Sequence, residues 1–254
     1  MIKKNALLVS IFFLFSFFAL PEKSHIRIYL IGDSTIAEKA TNKYPETGWG
    51  MPFRYFFDST VTVYNRAING RSTRTFIEEN RWNAINDSLQ EGDYVLIQFG
   101  HNDAAKDKPD RYTTPEQYRI NLIKFIDDSR SHKAIPVLLT PVARRQFDKN
   151  GQVEESHPVY ADIVRTVAKE KQVLFIDLDE KSKALLQSMG DEGSKSLYLQ
   201  LEPDENPNYP AGIKDNTHFN EVGARKIAQI VWKELKQLCP ELESHINDNE
   251  TKKK

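Results

Sequence analysis

Three polar residues near the two ends of the chain have the side chains that nucleophilic catalysis needs. Ser34 lies in Gly-Asp-Ser-Thr at residues 32–35, directly after a short apolar run. Asp215 and His218 lie in Asp-Asn-Thr-His at residues 215–218, directly before an amphipathic stretch. A serine hydroxyl attacks a carbonyl when a histidine accepts its proton and a carboxylate orients that histidine. These residue types predict a serine hydrolase, provided that the fold brings them together.

The spacing of Asp215 and His218 supports this interpretation. Residues three apart in a tight or helical turn project to the same side. Asp215 can then accept a hydrogen bond from one ring nitrogen of His218, which leaves the other nitrogen for Ser34. The structural alternatives are a turn or cap for Asp215, a half-buried loop histidine for His218, and a helix cap for Ser34.

A serine hydrolase also needs donors that stabilise the oxyanion formed during the reaction. The backbone N–H of Ser34 is one candidate. Gly70, in Asn-Gly-Arg-Ser, is a second, because glycine lets the backbone approach a ligand closely. The side-chain amide of Asn102, in Gly-His-Asn-Asp, is a third. Gly70 and Asn102 can equally be ordinary turn residues.

The elements that position these residues follow from the apolar pattern. Five short apolar runs predict parallel strands that are buried on both faces. They alternate with longer amphipathic stretches, so we expect a three-layer α/β/α sandwich with a five-stranded parallel sheet. Ligands bind beyond the carboxyl ends of strands in such sheets, where Ser34 lies. The predicted strands are Ile26–Ile31, Val61–Asn65, Tyr94–Phe99, Ile135–Leu139 and Val173–Ile176.

Three helices are also predicted. Thr114 caps the clearest one and Pro115 begins it. A second runs over about Val159–Lys169, and a third, from Asn220 to Leu238, closes the fold. The stretch 190–214 is rich in Pro, Asn and Asp and is predicted to be a long functional loop.

Composition excludes several classes of protein. The 254 residues include 35 basic and 36 acidic residues, so a formal net charge of -1 gives no reason to expect a nucleic-acid partner. Cys239 is the single cysteine, which excludes an intrachain disulfide and cysteine-rich zinc sites. We predict neither a metal nor another cofactor.

The N-terminus indicates export. Lys3 and Lys4 precede the largely apolar run 6–20, and this pattern predicts a signal peptide at residues 1–20. Phe17 is bulky for a cleavage site after Ala19, so a retained membrane anchor stays open. We expect a periplasmic or extracellular protein with a catalytic domain at 21–240. The polar residues 241–254 are predicted to form a tail.

Four segments together resemble the SGNH (GDSL-like) hydrolases, and within them the rhamnogalacturonan acetylesterases. The segments are GDST, NGRSTRTF, FGHND and DNTHFN, in that order along the chain. The resemblance implies a flavodoxin-like fold, a triad of Ser34, His218 and Asp215, and an oxyanion hole of Ser34, Gly70 and Asn102. It also implies an acetylated plant cell-wall polysaccharide, pectic rhamnogalacturonan, as substrate.

Several side chains are candidates for binding that substrate. Trp49 can stack on a sugar, although it can equally belong to the core. Arginines can pair with uronate carboxylates, unless they are merely solvated. Tyr209 can form a wall of the cleft. The arginine candidates are Arg71, Arg74, Arg144 and Arg145.

Two other functions remain open at this point. A metal-dependent phosphoesterase needs hard and imidazole ligands. A carbohydrate-binding protein without activity can use the same scaffold, but it has no need of a base beside a serine. The candidate ligands for a metal are Asp33, His101, Asp103, Asp215 and His218.

Overall fold

A sheet of five parallel strands forms the centre of the domain. The computed structural model describes residues 25–247. The strands follow the spatial order β2-β1-β3-β4-β5, which confirms the predicted α/β class. Each observed strand begins and ends within one residue of its prediction. They are β1 (Ile26–Gly32), β2 (Val61–Asn65), β3 (Tyr94–Gln98), β4 (Ile135–Leu139) and β5 (Leu174–Ile176).

Helices cover both faces of the sheet. The α-helices are α1 (Gly50–Phe53), α2 (Thr73–Glu78), α3 (Arg81–Asn86), α4 (Pro115–Ser131), α5 (Pro158–Lys171), α6 (Leu178–Ser194) and α7 (Glu221–Leu238). Single 3₁₀ turns occupy Thr41–Lys43, Arg54–Phe56, Lys195–Leu197 and Pro240–His245. As predicted, the Thr114 hydroxyl caps α4, accepting a hydrogen bond from the Gln117 N–H at 3.2 Å.

Alternate residues of β1 enter two separate cores, because successive side chains of a strand point to opposite faces. Ile28 and Leu30 pack with α1, α6 and α7 on one face. Tyr29 and Ile31 pack with α2, α3, α4 and α5 on the other. This double burial explains the continuous apolar run of β1 and fixes the position of the polar residues that follow it.

The stretch 190–214 is more regular than predicted. Helix α6 is interrupted by a kink at Gly190, whose φ is 70°, and a further helical turn then extends to Ser194. Strand β6 (Tyr198–Leu201) pairs antiparallel with β7 (Ile213–Phe219). The short apolar segment around Tyr198 and Leu199 is fully buried, and this packing outweighs the polar composition on either side. The prediction of one long loop is therefore wrong, and irregular structure is confined to 202–212.

The chain also packs on the domain beyond residue 240, where a polar tail was predicted. Leu242 and His245 in the last 3₁₀ turn are buried, and Ile246 forms a bridge with Phe57. The predicted signal peptide and the residues after 247 lie outside the described part of the chain. Within residues 25–247, no helix combines the length and apolar character that crossing a membrane requires.

Helix α7 docks so closely on the 3₁₀ turn Lys195–Leu197, just before β6, that it tolerates no side chain at Gly223. A Cβ there would lie 1.9 Å from the carbonyl oxygen of Leu197. We predict that Gly223→Ala lowers the free energy of unfolding by about 1–3 kcal/mol, as overpacking does. Urea unfolding followed by circular dichroism measures this change.

Gly193→Ala is the matched control, because Gly193 lies in α6 and its added Cβ would lie 3.7 Å from the Cβ of Met189. We expect this variant to be as stable as the wild type or up to about 1 kcal/mol more stable, since alanine is the better helix former. Equal losses in both variants would contradict the close docking of α7.

Candidate active site

Ser34 lies at the carboxyl end of β1, half-buried in a tight turn. The turn is held by Asp33, whose carboxylate accepts hydrogen bonds from the N–H of Thr35 at 3.0 Å and from its hydroxyl at 2.8 Å. The capping function considered for this segment therefore belongs to Asp33. The Ser34 hydroxyl instead lies 2.8 Å from Nε2 of His218.

Asp215 and His218 lie in a bulge of β7 rather than in the predicted tight or helical turn. Tyr198 of β6 pairs with Phe219, but the next residue, Leu199, pairs with Asp215. The three residues 216–218 are therefore looped out between these pairs, which brings residues three apart to the same side. The Asp215 carboxylate closes the bulge by accepting hydrogen bonds from the Thr217 N–H at 2.6 Å and the His218 N–H at 3.0 Å.

The same carboxylate orients the imidazole. Oδ2 of Asp215 lies 2.7 Å from Nδ1 of His218. Burial raises the pKa of Asp215, but the hydrogen bonds from His218 and Thr217 outweigh it and lower the pKa to about 2. The ionised carboxylate accepts a hydrogen bond from the Nδ1–H of His218, so Nε2 is unprotonated and can accept the proton of Ser34. The three side chains thus form a continuous hydrogen-bonded chain.

Arg145 holds this bulge from behind. Its backbone N–H donates to the carbonyl of Asn216 at 2.8 Å, and its Nη1 donates to the Asn216 side chain at 2.9 Å. The guanidinium is also paired with Asp191 and is buried. The prediction that Arg145 pairs with a uronate is therefore wrong, because its hydrogen-bonding capacity is used inside the protein.

The three predicted oxyanion donors line one cleft. Gly70 has a φ of 76°, in the left-handed region that favours glycine. Among the described residues, neither the Ser34 N–H nor the Gly70 N–H has an acceptor, so both are available to a ligand. The Asn102 amide donates to the carbonyl of Arg71 at 3.1 Å, which fixes its orientation and leaves a second N–H.

The cleft has a volume of about 1060 Å³ and is open to solvent. His101 and His157 form its inner wall, with Nδ1 of His101 3.0 Å from Nε2 of His157. His157 was not predicted from the sequence as a residue of the site. The available signal was its position just before the proline that begins α5, in the segment after β4 that reaches the carboxyl edge of the sheet.

The two aromatic residues predicted to bind sugar, Trp49 and Tyr209, do not line the cleft. Trp49 is fully buried, and its indole N–H donates to Oε1 of Gln98 at 2.7 Å. Its prediction as a stacking platform is wrong, and the alternative core assignment is correct. The hydroxyl of Tyr209 donates to the carbonyl of Lys43 at 2.9 Å, so Tyr209 holds two loops together and is absent from the cleft lining.

Arg71 and Arg74, which follow β2, differ in their position relative to the cleft. Arg71 lines the cleft, with its Nε 3.0 Å from Glu79. Arg74 lies outside the lining and donates to the carbonyls of Tyr112 at 3.1 Å and Pro109 at 3.0 Å. It braces a loop, so its prediction as a binding residue is wrong.

The candidate metal ligands do not converge. The Asp103 carboxylate accepts from the Thr73 N–H at 3.0 Å and from the Thr73 hydroxyl at 2.6 Å, and burial raises its pKa to about 7. His101 faces His157, and Asp215 faces His218. Within residues 25–247, no three His, Cys, Asp or Glu side chains are grouped to hold a metal ion.

The parallel sheet and the hydrogen-bonded serine, histidine and aspartate are the features of a hydrolase of the GDSL type. The chain belongs to the GDSL-like lipase/acylhydrolase family, whose model matches residues 30–226. It is 42% identical over 230 residues to the rhamnogalacturonan acetylesterase RhgT of Bacillus subtilis (strain 168), covering 91% of this chain and 98% of RhgT. The protein is a carboxylic ester hydrolase.

Two further proteins of Bacillus subtilis are similar. YesY, named a probable rhamnogalacturonan acetylesterase, is 39% identical over 225 residues, covering 87% of this chain and 98% of YesY. The crystal structure of YxiM superimposes with a TM-score of 0.72 at 26% identity, over 85% of this chain and 57% of the longer YxiM chain.

Substitutions in the hydrogen-bonded chain test its predicted catalytic role. We expect Ser34→Ala and His218→Ala each to lower kcat for p-nitrophenyl acetate by about 10⁶-fold, because the first removes the nucleophile and the second removes its base. Asp215→Asn should retain more activity, with a loss of about 10⁴-fold. An asparagine can still hydrogen-bond the histidine ring, but it carries no negative charge to stabilise the imidazolium.

The double variant Ser34→Ala/His218→Ala tests whether the two residues act together. Its loss should equal that of either single variant, because residues that act as one unit are not additive. Mild and equal effects at all three positions, with unchanged circular dichroism, would indicate residues that only support the loops.

Proposed function

We propose that the protein is an exported serine esterase that removes acetyl groups from pectic rhamnogalacturonan by an acyl-enzyme mechanism. The observation that carries the proposal is the chain from Ser34 through His218 to Asp215, with distances of 2.8 and 2.7 Å, at the floor of an open polar cleft. The similarity to RhgT and YesY supports acetylated rhamnogalacturonan as the substrate class.

In this mechanism Ser34 Oγ attacks the acetyl carbonyl while Nε2 of His218 takes the hydroxyl proton. The imidazolium that forms is stabilised by the ionised Asp215. The C–O bond to the sugar then breaks, and His218 returns the proton to the leaving sugar hydroxyl. Water attacks the acetyl-enzyme with His218 again as base, which releases acetate and restores Ser34.

The negative charge of each tetrahedral intermediate falls on the former carbonyl oxygen. The unpaired N–H groups of Ser34 and Gly70 and the free amide N–H of Asn102 supply three donors for it. Donors held in place before the reaction stabilise the transition state without reorganisation, and one such donor contributes about 3–4 kcal/mol.

The cleft suits a short acyl group on a polymer. Its lining is dominated by charged and polar side chains, with Ala104 and Ala105 as its aliphatic members, so no apolar channel for a long acyl chain is apparent. A carbohydrate-binding protein without activity is a weaker proposal, because binding requires neither the Ser34–His218 contact nor unpaired N–H groups beside it.

Export is proposed from the sequence pattern of the N-terminus. Lys3 and Lys4 followed by the apolar run 6–20 are typical of a signal peptide, and plant polysaccharide is met outside the cell. The protein would then act in the periplasm or the extracellular space.

The acyl and polymer preferences test this function. We predict a steep fall in kcat/KM for p-nitrophenyl esters from acetyl through butyryl to octanoyl, because the acyl side of the site offers little apolar area. Acetate release, measured enzymatically, should be faster from acetylated rhamnogalacturonan than from acetylated xylan at equal acetyl concentration. A preference for octanoyl esters, or faster acetate release from xylan than from rhamnogalacturonan, would contradict the proposal.

A further inference from the structure

Arg144 is a cleft residue whose guanidinium has no partner among residues 25–247. Its backbone N–H donates to the Ser156 hydroxyl at 2.8 Å, which fixes the segment after β4. Its side chain makes no hydrogen bond or ion pair there, and its Nε is buried. A buried N–H group is almost always hydrogen-bonded in a folded protein, so this guanidinium lacks a partner that it would normally have. Its terminal N–H groups are also unpaired within residues 25–247 but are not buried, so an acceptor on a ligand can reach them.

The other arginines near the cleft are already engaged. Arg71 is paired with Glu79 at 3.0 Å, and Arg111 is paired with Asp110 at 3.1 Å. Arg145 is buried against Asn216 and Asp191. The charge of each of these guanidinium groups is already offset by a neighbouring carboxylate, whereas that of Arg144 is not.

Acidic side chains in the lining do not offset the charge of Arg144. Asp110 is paired with Arg111, and the charge of Asp107 is balanced by the opposite charge of Lys108, which also lines the cleft. Glu46 lies 2.7 Å from the ammonium of Lys39, and Glu79 is shared by Arg71 and Arg81. The charges of these pairs largely cancel, which leaves the guanidinium of Arg144 as an uncompensated cation in the cleft.

The neighbours of Arg144 are uncharged. Burial lowers the pKa of His157 to about 2, and the charge of Arg144 acts in the same direction. Burial and the Arg144 charge likewise hold the pKa of His101 well below its usual range. This end of the cleft therefore carries a single positive charge, which matches one carboxylate better than a doubly charged phosphate.

We propose that Arg144 binds the carboxylate of a uronic acid in the substrate, on the acetylated sugar or the next one along the chain. The inference rests on the proposed function and names the residue that selects acidic polysaccharide. A guanidinium presents parallel N–H donors that match the two oxygens of a carboxylate. Because Arg144 shares the cleft with Ser34 and His218, binding there places the acetyl ester beside the nucleophile.

The test compares two variants that lose the same charge. Arg144→Gln removes the cleft guanidinium, and Arg119→Gln removes an arginine of α4 that pairs with Glu170 outside the cleft. Both variants lower the net charge by one, so a larger effect of Arg144→Gln cannot be assigned to net charge alone. Arg144→Lys keeps the charge but loses the planar fork.

Each enzyme is assayed on acetylated rhamnogalacturonan and on the same polymer with its carboxyl groups reduced to alcohols. We expect Arg144→Gln to raise KM about tenfold on the acidic polymer relative to Arg119→Gln, the loss typical of a charge-assisted hydrogen bond. On the reduced polymer the two variants should have equal KM. Arg144→Lys should fall between wild type and Arg144→Gln.

Equal KM values for Arg144→Gln and Arg119→Gln on the acidic polymer would overturn the inference. So would an equal rise for Arg144→Gln on both polymers, since a carboxylate would then not be the group recognised. Circular dichroism and urea unfolding check that both variants are folded.

A separate arm distinguishes failure of this inference from failure of the proposed function. If wild type releases no acetate from rhamnogalacturonan, the function fails, and inhibition of p-nitrophenyl acetate hydrolysis by galacturonic acid oligomers still tests Arg144. We expect an inhibition constant about tenfold higher for Arg144→Gln than for Arg119→Gln. Equal constants would overturn the role of Arg144 whatever the natural substrate.

Discussion

The hydrogen bond between Asp215 Oδ2 and His218 Nδ1, at 2.7 Å, is the interaction on which the arrangement of the site depends. It fixes the ring so that Nε2 faces Ser34, and it requires the bulge of β7 that places the two residues on one side. The bulge is held in turn by the buried Arg145 through Asn216. The guanidinium of Arg145, which is buried and is not part of the cleft lining, therefore maintains the geometry of the groups proposed to react.

The rest of the fold brings the two ends of the chain to this interaction. Burial of β1 on both faces fixes the position of Ser34. The docking of α7 at Gly223 on the 3₁₀ turn before β6 positions the β6–β7 pair, which carries His218. A backbone hydrogen bond of 2.9 Å from Thr47 to Phe219 joins the loop after β1 directly to β7. The contact between Ser34 and His218 thus results from core packing and requires no ligand.

The sequence was sufficient to predict the sheet and the pairing of Asp215 with His218, because both depend on local patterns. Apolar runs mark strands, and Asp-Asn-Thr-His needs only a bend to pair its ends. Side-chain destinations depend on distant partners and could not be predicted. Trp49 is buried beside α1, where Gln98 of β3 accepts a hydrogen bond from its indole N–H, and Arg145 is engaged because Asp191 lies opposite. Only the fold distinguishes these residues from Arg144, which has no partner in the described part of the chain.

The central claim, that Ser34 is acylated during turnover, is tested most directly by trapping the intermediate. Acid quenching within the first turnover of p-nitrophenyl acetate, followed by intact-protein and peptide mass spectrometry, detects a covalent acetyl group. The account predicts one acetyl group per chain, located on the peptide and side chain of Ser34, which disappears when substrate is exhausted. An unmodified protein despite a burst of nitrophenol, or an acetyl group on another residue that forms and decays at the rate of turnover, would contradict it.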